Sequence, residues 1–333
     1  MNRIRTIDAH TAGEPLRVIV EGFPEPAGST ILEKRRHARE HHDNLRKALM
    51  WEPRGHADMY GCLLTEPVTD DGDVGVLFMH NEGFSTMCGH GIIGLVKVGL
   101  DHGLLTSNAS EPVIRIDTPA GRVTATATRR PDGRVNSVSF LNVPSFLLER
   151  DLAIRVEGIG DVMCDIAFGG AFYAYVDARS LELPLGPATH SRIIDTGRRV
   201  KQAVMAQYTI EHPDGDADLN FLYGTIFVQP GVGAVHSRNV CVFAEGEVDR
   251  SPTGTGVSGR AAIQHARGEL PLGETITIES ILATSFDVCV EEVTRVGALP
   301  AIVPRVTGRA HVTGHHEFVI DPDDELRDGF ILR

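Results

Sequence analysis

Residues 85–94 read Ser85-Thr86-Met87-Cys88-Gly89-His90-Gly91-Ile92-Ile93-Gly94. A lone cysteine stands here between an apolar run, Val74 to Met79, and a run with a helix-like pattern, Ile92 to Leu100. The glycines allow the backbone to turn sharply and to approach a ligand closely. If Gly89 begins a helix, Cys88 lies at the helix N-terminus, where unpaired N–H groups and the helix dipole favour a thiolate. The stretch therefore predicts a reactive cysteine rather than a structural one.

A second glycine-rich turn repeats this pattern, and it reads Ser251-Pro252-Thr253-Gly254-Thr255-Gly256-Val257-Ser258-Gly259. When Thr253 is aligned with Cys88, an offset of 253 − 88 = 165, four pairs of glycines coincide: Gly89 with Gly254, Gly91 with Gly256, Gly94 with Gly259 and Gly103 with Gly268. Each turn follows a strand-like run and precedes a helix-like run, so we interpret the pattern as a duplication. Two similar halves would each present a helix N-terminus to one shared cleft, with cysteine in one half and threonine in the other.

Composition sets limits on the class of protein. The chain of 333 residues is long enough for two domains with substantial cores. A net charge of −13 argues against nucleic acid or an anionic membrane as a partner. We find no apolar run long enough to span a bilayer, and the N-terminal residues lead into a strand-like segment rather than a signal peptide. The five cysteines form no CxxC pair, so we expect free thiols in a reducing cytoplasm.

The order of strand and helix patterns predicts two domains. We expect a helix capped by Ser29 or Thr30 that runs to about Met50. The Gly169-Gly170 pair interrupts an apolar strand and is typical of a bulge or of backbone close to a ligand. We place an N-terminal domain at 1–147 plus 320–333 and a C-terminal domain at 148–319, because chain termini often meet.

Several polar clusters are candidates for a site. The segment from Asp8 to Pro15 carries Asp8, His10 and Glu14, and it fits a site lining and a solvated turn equally well. Two groups have spacings that could bind a metal: His37, His41, His42 and Asp43, and His311, His315 and His316. We interpret both as exposed surface and expect no metal site.

A ligand held at two helix N-termini has a defined chemistry. Backbone N–H groups and helix dipoles bind a carboxylate, and a thiolate beside it can remove the proton from the adjacent carbon. Preorganised N–H donors stabilise the developing charge, and loss of one such donor costs about 3–4 kcal/mol. Neither a cofactor nor a metal is required, and no nucleotide-binding fingerprint is present.

The residue at position 253 decides between two outcomes. Two facing cysteines would remove a proton on one face and deliver it on the other, which is racemisation. A threonine hydroxyl is not a useful acid or base near neutral pH. The deprotonated intermediate must then be reprotonated to the starting compound or lose a leaving group. A hydroxyl on the β-carbon would leave as water.

Three segments resemble the proline racemase family, which includes 4-hydroxyproline epimerases and trans-3-hydroxy-L-proline dehydratases. They are Asp8-Ala9-His10-Thr11-Ala12-Gly13-Glu14-Pro15, Met87-Cys88-Gly89-His90-Gly91, and Asp249-Arg250-Ser251-Pro252 followed by Gly254. The similarity runs over nearly the whole chain. In racemases and epimerases of this family a second catalytic cysteine follows the Ser-Pro pair. Thr253 departs from that pattern and resembles the dehydratase branch.

The resemblance implies a fold and a set of residue roles. The fold is α/β (α+β) and diaminopimelate-epimerase-like: two pseudo-symmetric domains, each a barrel-like, mostly antiparallel sheet around a central helix, with the active site in the inter-domain cleft. Cys88 is the base that removes the Cα proton, and Thr253 takes the second catalytic position. The implied substrate-binding residues are Gly89, His90, Gly254 and Thr255, with Asp249 paired to the ring ammonium.

We therefore expect a cofactor-independent, cytoplasmic hydro-lyase that converts trans-3-hydroxy-L-proline into Δ1-pyrroline-2-carboxylate and water. The group that protonates the leaving hydroxyl stays open among His90, Thr253 and a bound water. The alternatives are a 4-hydroxyproline 2-epimerase or proline racemase and, from another class, a non-catalytic imino-acid binding protein. The expected partner is a small imino acid, with neither nucleic acid nor membrane, and the oligomeric state is open between a monomer and a homodimer.

Overall fold

The computed structural model describes residues 2–215 and 217–332. The chain forms two compact units, one comprising Met1–Phe140 and Gly308–Arg333 and the other comprising Leu141–Thr307. No helix in the described part of the chain is both long and apolar enough to cross a membrane.

The first unit contains β1 (Asn2–Thr11), β2 (Glu14–Glu21), α1 (Ile31–His41), α2 (Asp43–Met50), β3 (Tyr60–Thr65), β4 (Val74–His80), β5 (Gly83–Ser85), α3 (Gly89–Asp101), β6 (Val113–Thr118), β7 (Gly121–Arg129), β8 (Val135–Leu141) and β18 (Ala310–Ile320). Its strands pair mostly antiparallel, and α3 packs against β1, β2, β3, β7 and β18. The helix is buried from Gly89 to Leu100, which explains why most of its residues are apolar. Helices α1 and α2 pack against a separate apolar cluster that includes Ile4, Ile19 and Leu49.

The second unit contains β9 (Ser145–Val156), β10 (Gly160–Phe168), β11 (Phe172–Asp177), α4 (His190–Gln207), β12 (Leu222–Pro230), β13 (Ser237–Phe243), β14 (Glu247–Val248), α5 (Gly254–Ala266), β15 (Thr275–Glu279), β16 (Ser285–Val296) and β17 (Leu299–Gly308). Short 3-10 turns at Ala178–Leu181, Pro187–Thr189 and Ala217–Leu219 join some of these elements. Helix α5 packs against β9, β10, β11 and β16, and it is buried over most of its length.

The two units have the same connectivity. In each, one parallel pair encloses the outer helices (β2 and β3 around α1 and α2, β11 and β12 around α4), and a second parallel pair encloses the central helix (β4 with β6, β13 with β15). Helices α3 and α5 each have 13 residues and start 254 − 89 = 165 positions apart. This equivalence supports the predicted duplication, and the two barrel-like sheets around central helices confirm the predicted fold class.

The repeated glycines have repeated packing roles. A Cβ at Gly94 would lie 2.6 Å from Leu16 Cδ2, and a Cβ at Gly259 would lie 2.3 Å from the Tyr175 hydroxyl. Gly103 and Gly268 follow the helices with φ of 74° and 75°, the left-handed conformation that ends a helix. The sheet thus approaches both central helices closely, at equivalent positions.

The observed unit boundaries differ from the predicted ones. The prediction assigned residues 148–319 to the C-terminal domain, whereas β18 pairs with β1 from Asn2↔Ile320 to Thr11↔Ala310 and lies in the first unit. At the other boundary, β9 begins at Ser145 and pairs with β10, so residues 145–147 lie in the second unit. The closing segment does contact the first unit, through the bridge Glu52↔Phe330.

Two local expectations also need correction. Thr30 caps α1 with a full capping box, but the helix does not continue to Met50, because His42 adopts φ −131° and separates α1 from α2. The Gly169-Gly170 pair forms the turn of a hairpin rather than a bulge, since Phe168 pairs directly with Phe172. Gly170 takes a φ of 107° in this turn.

Candidate active site

Cys88 is the N-cap of α3, as the sequence predicted. Its backbone is extended, with φ −146° and ψ 110°, and its Sγ accepts a hydrogen bond from Gly91 N at 3.3 Å. The side chain is only 4% exposed. The N–H groups of the first helical turn and the helix dipole stabilise negative charge on this sulfur.

His90 lies beside this sulfur. Its Nδ1 is 3.2 Å from Cys88 Sγ, within the distance at which the two side chains share a proton. The residue is held in place by Thr11 Oγ1, which donates to the His90 carbonyl at 2.9 Å, and by the Tyr60 ring, which packs edge-on at 4.8 Å between centroids. The end of β1 and the start of β3 thus hold the Cys88–His90 pair.

Glycine at position 91 leaves room for the cysteine. A Cβ there would lie 3.0 Å from Cys88 Sγ and 2.5 Å from the Phe78 ring. Gly256 has the same relation to Thr253, since its Cβ would lie 3.1 Å from Thr253 Cβ. The Gly-x-Gly spacing is therefore a packing requirement of the residue at each helix start.

Other cysteines have a different environment. All five are free and buried. Burial raises the pKa of the Cys62 thiol well above its ordinary value, and burial followed by the charge of Asp165 raises the pKa of the Cys164 thiol to about 12. Both of these cysteines lie within strands, away from a helix N-terminus. Neither forms a hydrogen bond with a histidine among the described residues. They are inert packing residues by comparison with Cys88.

Thr253 is the N-cap of α5, and it caps the helix differently. Its φ is 68° and its ψ is 99°, a positive φ that a β-branched residue rarely adopts. The side chain makes no capping hydrogen bond, and Thr253 Oγ1 is buried without a hydrogen-bond partner among the described residues. Strain and an unused hydroxyl at one residue are typical of a functional position.

The segment before α5 is fixed by short side-chain bonds. Asp249 Oδ1 accepts from Ser251 N at 2.7 Å, and Ser251 Oγ accepts from Thr253 N at 3.1 Å. Asp249 is 4% exposed, and its Oδ2 makes no hydrogen bond with the described residues. One carboxylate oxygen is thus structural, and the other is available to a ligand.

Within the first turn of α5, Thr255 Oγ1 is hydrogen-bonded to the Tyr173 hydroxyl at 2.8 Å. Ser258 Oγ donates to the Gly254 carbonyl at 2.8 Å and receives the Asn142 amide at 2.9 Å. Each unit thus brings together its share of the predicted residues: Cys88, Gly89 and His90 in the first, and Asp249, Thr253, Gly254 and Thr255 in the second.

The Asp8–Pro15 segment is only partly a turn. Its residues 8–11 belong to β1, Ala12 and Gly13 form a two-residue hairpin loop with φ of 53° and 100°, and Glu14 begins β2. Asp8 forms an ion pair with Arg17 at 2.8 Å, so its carboxylate has a structural partner. His10 Nδ1 accepts from Gly13 N at 3.2 Å. Thr11 is the residue of this segment that bonds to the start of α3, through the His90 carbonyl.

Sequence reasoning missed Thr11, Tyr60, Tyr173 and Ser251 as supports of the two helix starts. One signal was present, because Tyr60-Gly61 and Tyr223-Gly224 match weakly between the halves. Tyr60 does contact His90, and the Tyr223 ring lies 5.8 Å from the ring of Tyr173. The repeated tyrosines thus belong to the surroundings of the two helix starts.

Comparison with known proteins agrees with this architecture. The sequence profile described as proline racemase matches residues 6–331. The chain therefore belongs to the proline racemase family.

Individual relatives carry more specific names. A protein of Colwellia psychrerythraea named trans-3-hydroxy-L-proline dehydratase is 49% identical, over 99% of this chain and 93% of that protein. Further relatives carry the same name. A protein of Burkholderia multivorans named 3-hydroxyproline 2-epimerase is 44% identical, over 99% of this chain and 98% of that protein.

A solved structure has nearly the same fold. It is a hydroxyproline epimerase from Agrobacterium vitis with bound trans-4-hydroxy-L-proline, which superposes with a TM-score of 0.94 at 31% identity. The match covers 100% of this chain and 95% of that one.

Proposed function

We propose that this protein is a trans-3-hydroxy-L-proline dehydratase, a hydro-lyase that forms Δ1-pyrroline-2-carboxylate and water. The observation that carries the proposal is the difference between the two helix caps. Cys88 is paired with His90 and bonded to Gly91 N, whereas Thr253 at the equivalent position has a hydroxyl without a partner in the part of the chain that the structure describes. Relatives with 43–49% identity that carry this name support the same conclusion.

In the proposed reaction, the Cys88 thiolate removes the Cα proton and forms an S–H bond. The electron pair of the Cα–H bond forms a double bond between Cα and Cβ, and the C–O bond at Cβ breaks. The leaving hydroxyl takes up one proton and departs as water. The resulting enamine tautomerises to the Δ1-pyrroline. The reaction involves no net oxidation, so its electrons balance without a redox cofactor.

The binding residues complete this scheme. The substrate carboxylate accepts hydrogen bonds from backbone N–H groups at Gly89 and His90 and at Gly254 and Thr255, and both helix dipoles favour its negative charge. Asp249 Oδ2 accepts from the ring ammonium. These roles require Cys88 and Thr253 to act on the same substrate molecule, and that is part of the proposal.

Thr253 Oγ1 is assigned to the 3-hydroxyl of the substrate. A buried hydroxyl without a partner costs free energy unless a ligand supplies the bond, about 1–3 kcal/mol. The proton that the leaving group needs can come from His90 through its contact with Cys88 Sγ, from Thr253 or from a bound water, and the three sources remain alternatives.

A 3-hydroxyproline 2-epimerase is the second candidate, and the relative with that name favours it. Epimerisation needs an acid on the face opposite Cys88. Thr253 is a poor acid for returning a proton to Cα at neutral pH, because an aliphatic hydroxyl has a pKa far above the operating pH. For this reason the dehydratase is better supported than the epimerase.

The test is a side-by-side assay with trans-3-hydroxy-L-proline, trans-4-hydroxy-L-proline and L-proline. We expect pyrroline formation from the 3-hydroxy compound alone. Inversion at Cα of any of the three compounds, without pyrroline from the 3-hydroxy compound, would identify an epimerase. Binding of an imino acid with no chemistry on any of the three would indicate a binding protein.

The proposal also includes the cellular location and the oligomeric state. We infer a cytoplasmic location, because the proposed chemistry of Cys88 needs a reduced thiol. The choice between monomer and homodimer is tested by light scattering coupled to size-exclusion chromatography.

A further inference from the structure

A cavity of about 610 Å³ lies within the second unit and does not include the proposed catalytic residues. It is lined by the second half of α5, by β10 and by the ends of β11 and β12, through residues that include Arg260, Gln264, Ser237, His236, Val176 and Val228. Its volume lies in the range of pockets that hold small organic ligands.

Two of the three arginines that line this cavity form ion pairs. Arg267 is paired with Asp165 at 2.8 Å and with Asp151 at 2.7 Å, and Arg179 is paired with Asp177 at 2.6 Å. Arg260 forms neither a hydrogen bond nor an ion pair with the described residues, and its Nε is buried without a partner. The cavity therefore contains one guanidinium without an anionic partner.

Arg260 is half-buried. Burial lowers the pKa of Arg260, and the charges of Glu269 and Asp165 raise it in part. A desolvated arginine is normally matched by a carboxylate or a phosphate. No carboxylate among the described residues forms an ion pair with Arg260, so its guanidinium can pair with an anion from solution.

Two neutral polar groups reinforce the need for a ligand. Gln264 is 1% exposed and Ser237 is 2% exposed, and both line the cavity. Gln264 Oε1 and Ser237 Oγ make no hydrogen bond with the described residues, although Gln264 Nε2 contacts His236 Nε2 at 2.9 Å. Buried polar atoms without partners are rare in native proteins.

We propose that this cavity binds a small organic monocarboxylate, whose carboxylate pairs with Arg260 and whose apolar body contacts Val176, Val228 and Pro230. A single negative charge fits best, because the lining also contains the carboxylates of Asp151, Asp165, Asp177 and Glu269. A planar carboxylate matches the two-pronged geometry of a guanidinium. Arg260 lies on α5, the helix that Thr253 caps, at about 10 Å of helical rise from Thr253.

The probe for this proposal is 4-fluorobenzoate, observed by ¹⁹F NMR in titrations of the full chain. Arg260→Met keeps the length of the side chain and removes its charge. Arg199→Met is the matched control, because Arg199 is an exposed residue of α4 paired with Asp195 at 3.0 Å and lies outside the cavity lining. The neutral 4-fluorobenzamide measures how much of the binding depends on charge.

We expect a saturable site in the wild type and in Arg199→Met, weakened at least about tenfold in Arg260→Met and for the neutral amide. If Arg260→Met does not fold, Gln264→Glu tests the same point, because its carboxylate would pair with Arg260 and exclude the probe. Equal binding by Arg260→Met and Arg199→Met, as expected if the probe bound only at the helix starts, would overturn the proposal. Absence of saturable binding to the wild type would also overturn it.

Discussion

The starts of α3 and α5 occupy equivalent places in two units of the same connectivity, yet their cap residues behave in opposite ways. Cys88 has an ordinary extended backbone, and its sulfur accepts from the helix that it caps. Thr253 has a φ of 68°, and its hydroxyl does not bond to its helix. In the first unit the helix N-terminus bonds to the side chain of its cap residue, whereas in the second the cap hydroxyl makes no such bond.

This difference explains how a duplicated scaffold can lose symmetry in its chemistry while keeping symmetry in its fold. The glycines that make room for the cap are retained in both units, at Gly91 and Gly256. What changes is the acid strength of one side chain. Under the proposed mechanism, replacement of a thiol by an aliphatic hydroxyl of similar size turns a two-base site into a one-base site.

The largest effect is expected from Cys88→Ser, which removes the base of the first helix start. Pyrroline formation should fall by about 10³-fold or more in kcat/KM, since a positioned base contributes about 10²–10⁴-fold. The rate is measured by coupled reduction of the pyrroline. Cys289→Ser is the control, because Cys289 is a buried strand residue without an assigned role. A similar loss in both variants would mean that Cys88 is only a packing residue.

Thr253→Cys makes the two helix starts alike, and it should lower dehydration by about 10–10²-fold while introducing Cα epimerisation. The reason is that the second thiol can return a proton to the opposite face. Chiral chromatography of recovered L-proline and trans-4-hydroxy-L-proline measures the gain. Thr253→Val, which removes only the hydroxyl, should lower dehydration without introducing epimerisation. If Thr253→Cys changes neither reaction, the role given to position 253 is wrong.

Part of this comparison could be predicted from the sequence. The 165-residue offset located both central helices and both caps, because glycine spacing is imposed by close packing that survives duplication. The charged residues of the Asp8–Pro15 segment fitted a site lining and a solvated turn equally well. The structure pairs Asp8 with Arg17, and that pairing depends on strand register. The backbone of Thr253 was not predictable, because a β-branched residue by itself disfavours positive φ.

The residues that hold the two helix starts in place could not be predicted from the sequence either. Tyr173 and Thr255 are hydrogen-bonded although they are separated by 82 positions, and Thr11 and His90 are separated by 79. Local pattern contains no information on such pairs. The break at His42 is a similar case, since the sequence from Thr30 to Met50 has helical character on both sides of it.

Tyr173→Phe tests the support of the second helix start. It removes the hydrogen bond to Thr255 Oγ1 and leaves that buried hydroxyl without a partner, so the free energy of unfolding should fall by about 1 kcal/mol and KM should rise. Urea unfolding and steady-state kinetics measure the two effects. Tyr208→Phe, which removes a bond to Glu149 Oε2, should lower stability without raising KM. A KM effect of equal size in both variants would count against a binding role for Thr255.

The smallest effect concerns the stability of the second unit at low pH. His212 packs against the rings of Phe146, Phe168 and Phe172, and burial lowers its pKa from the ordinary value of 6.5. The folded state therefore favours neutral His212, so stability is highest above pH 6.5 and falls as the pH drops below it. The melting temperature of His212→Phe should decrease less on acidification than that of the wild type. His190→Phe, at an exposed position, should follow the wild type, and parallel curves for all three proteins would refute this assignment.

The claim that one helix start alone provides a base is tested most directly by hydrogen exchange at Cα in D₂O. L-Proline has no 3-hydroxyl to lose. The carbanion that Cys88 generates at Cα can therefore only be reprotonated. We predict deuterium at Cα of recovered L-proline with retention of configuration, and pyrroline from trans-3-hydroxy-L-proline under the same conditions. Formation of D-proline at a rate comparable to exchange would show a second acid opposite Cys88 and would contradict the account.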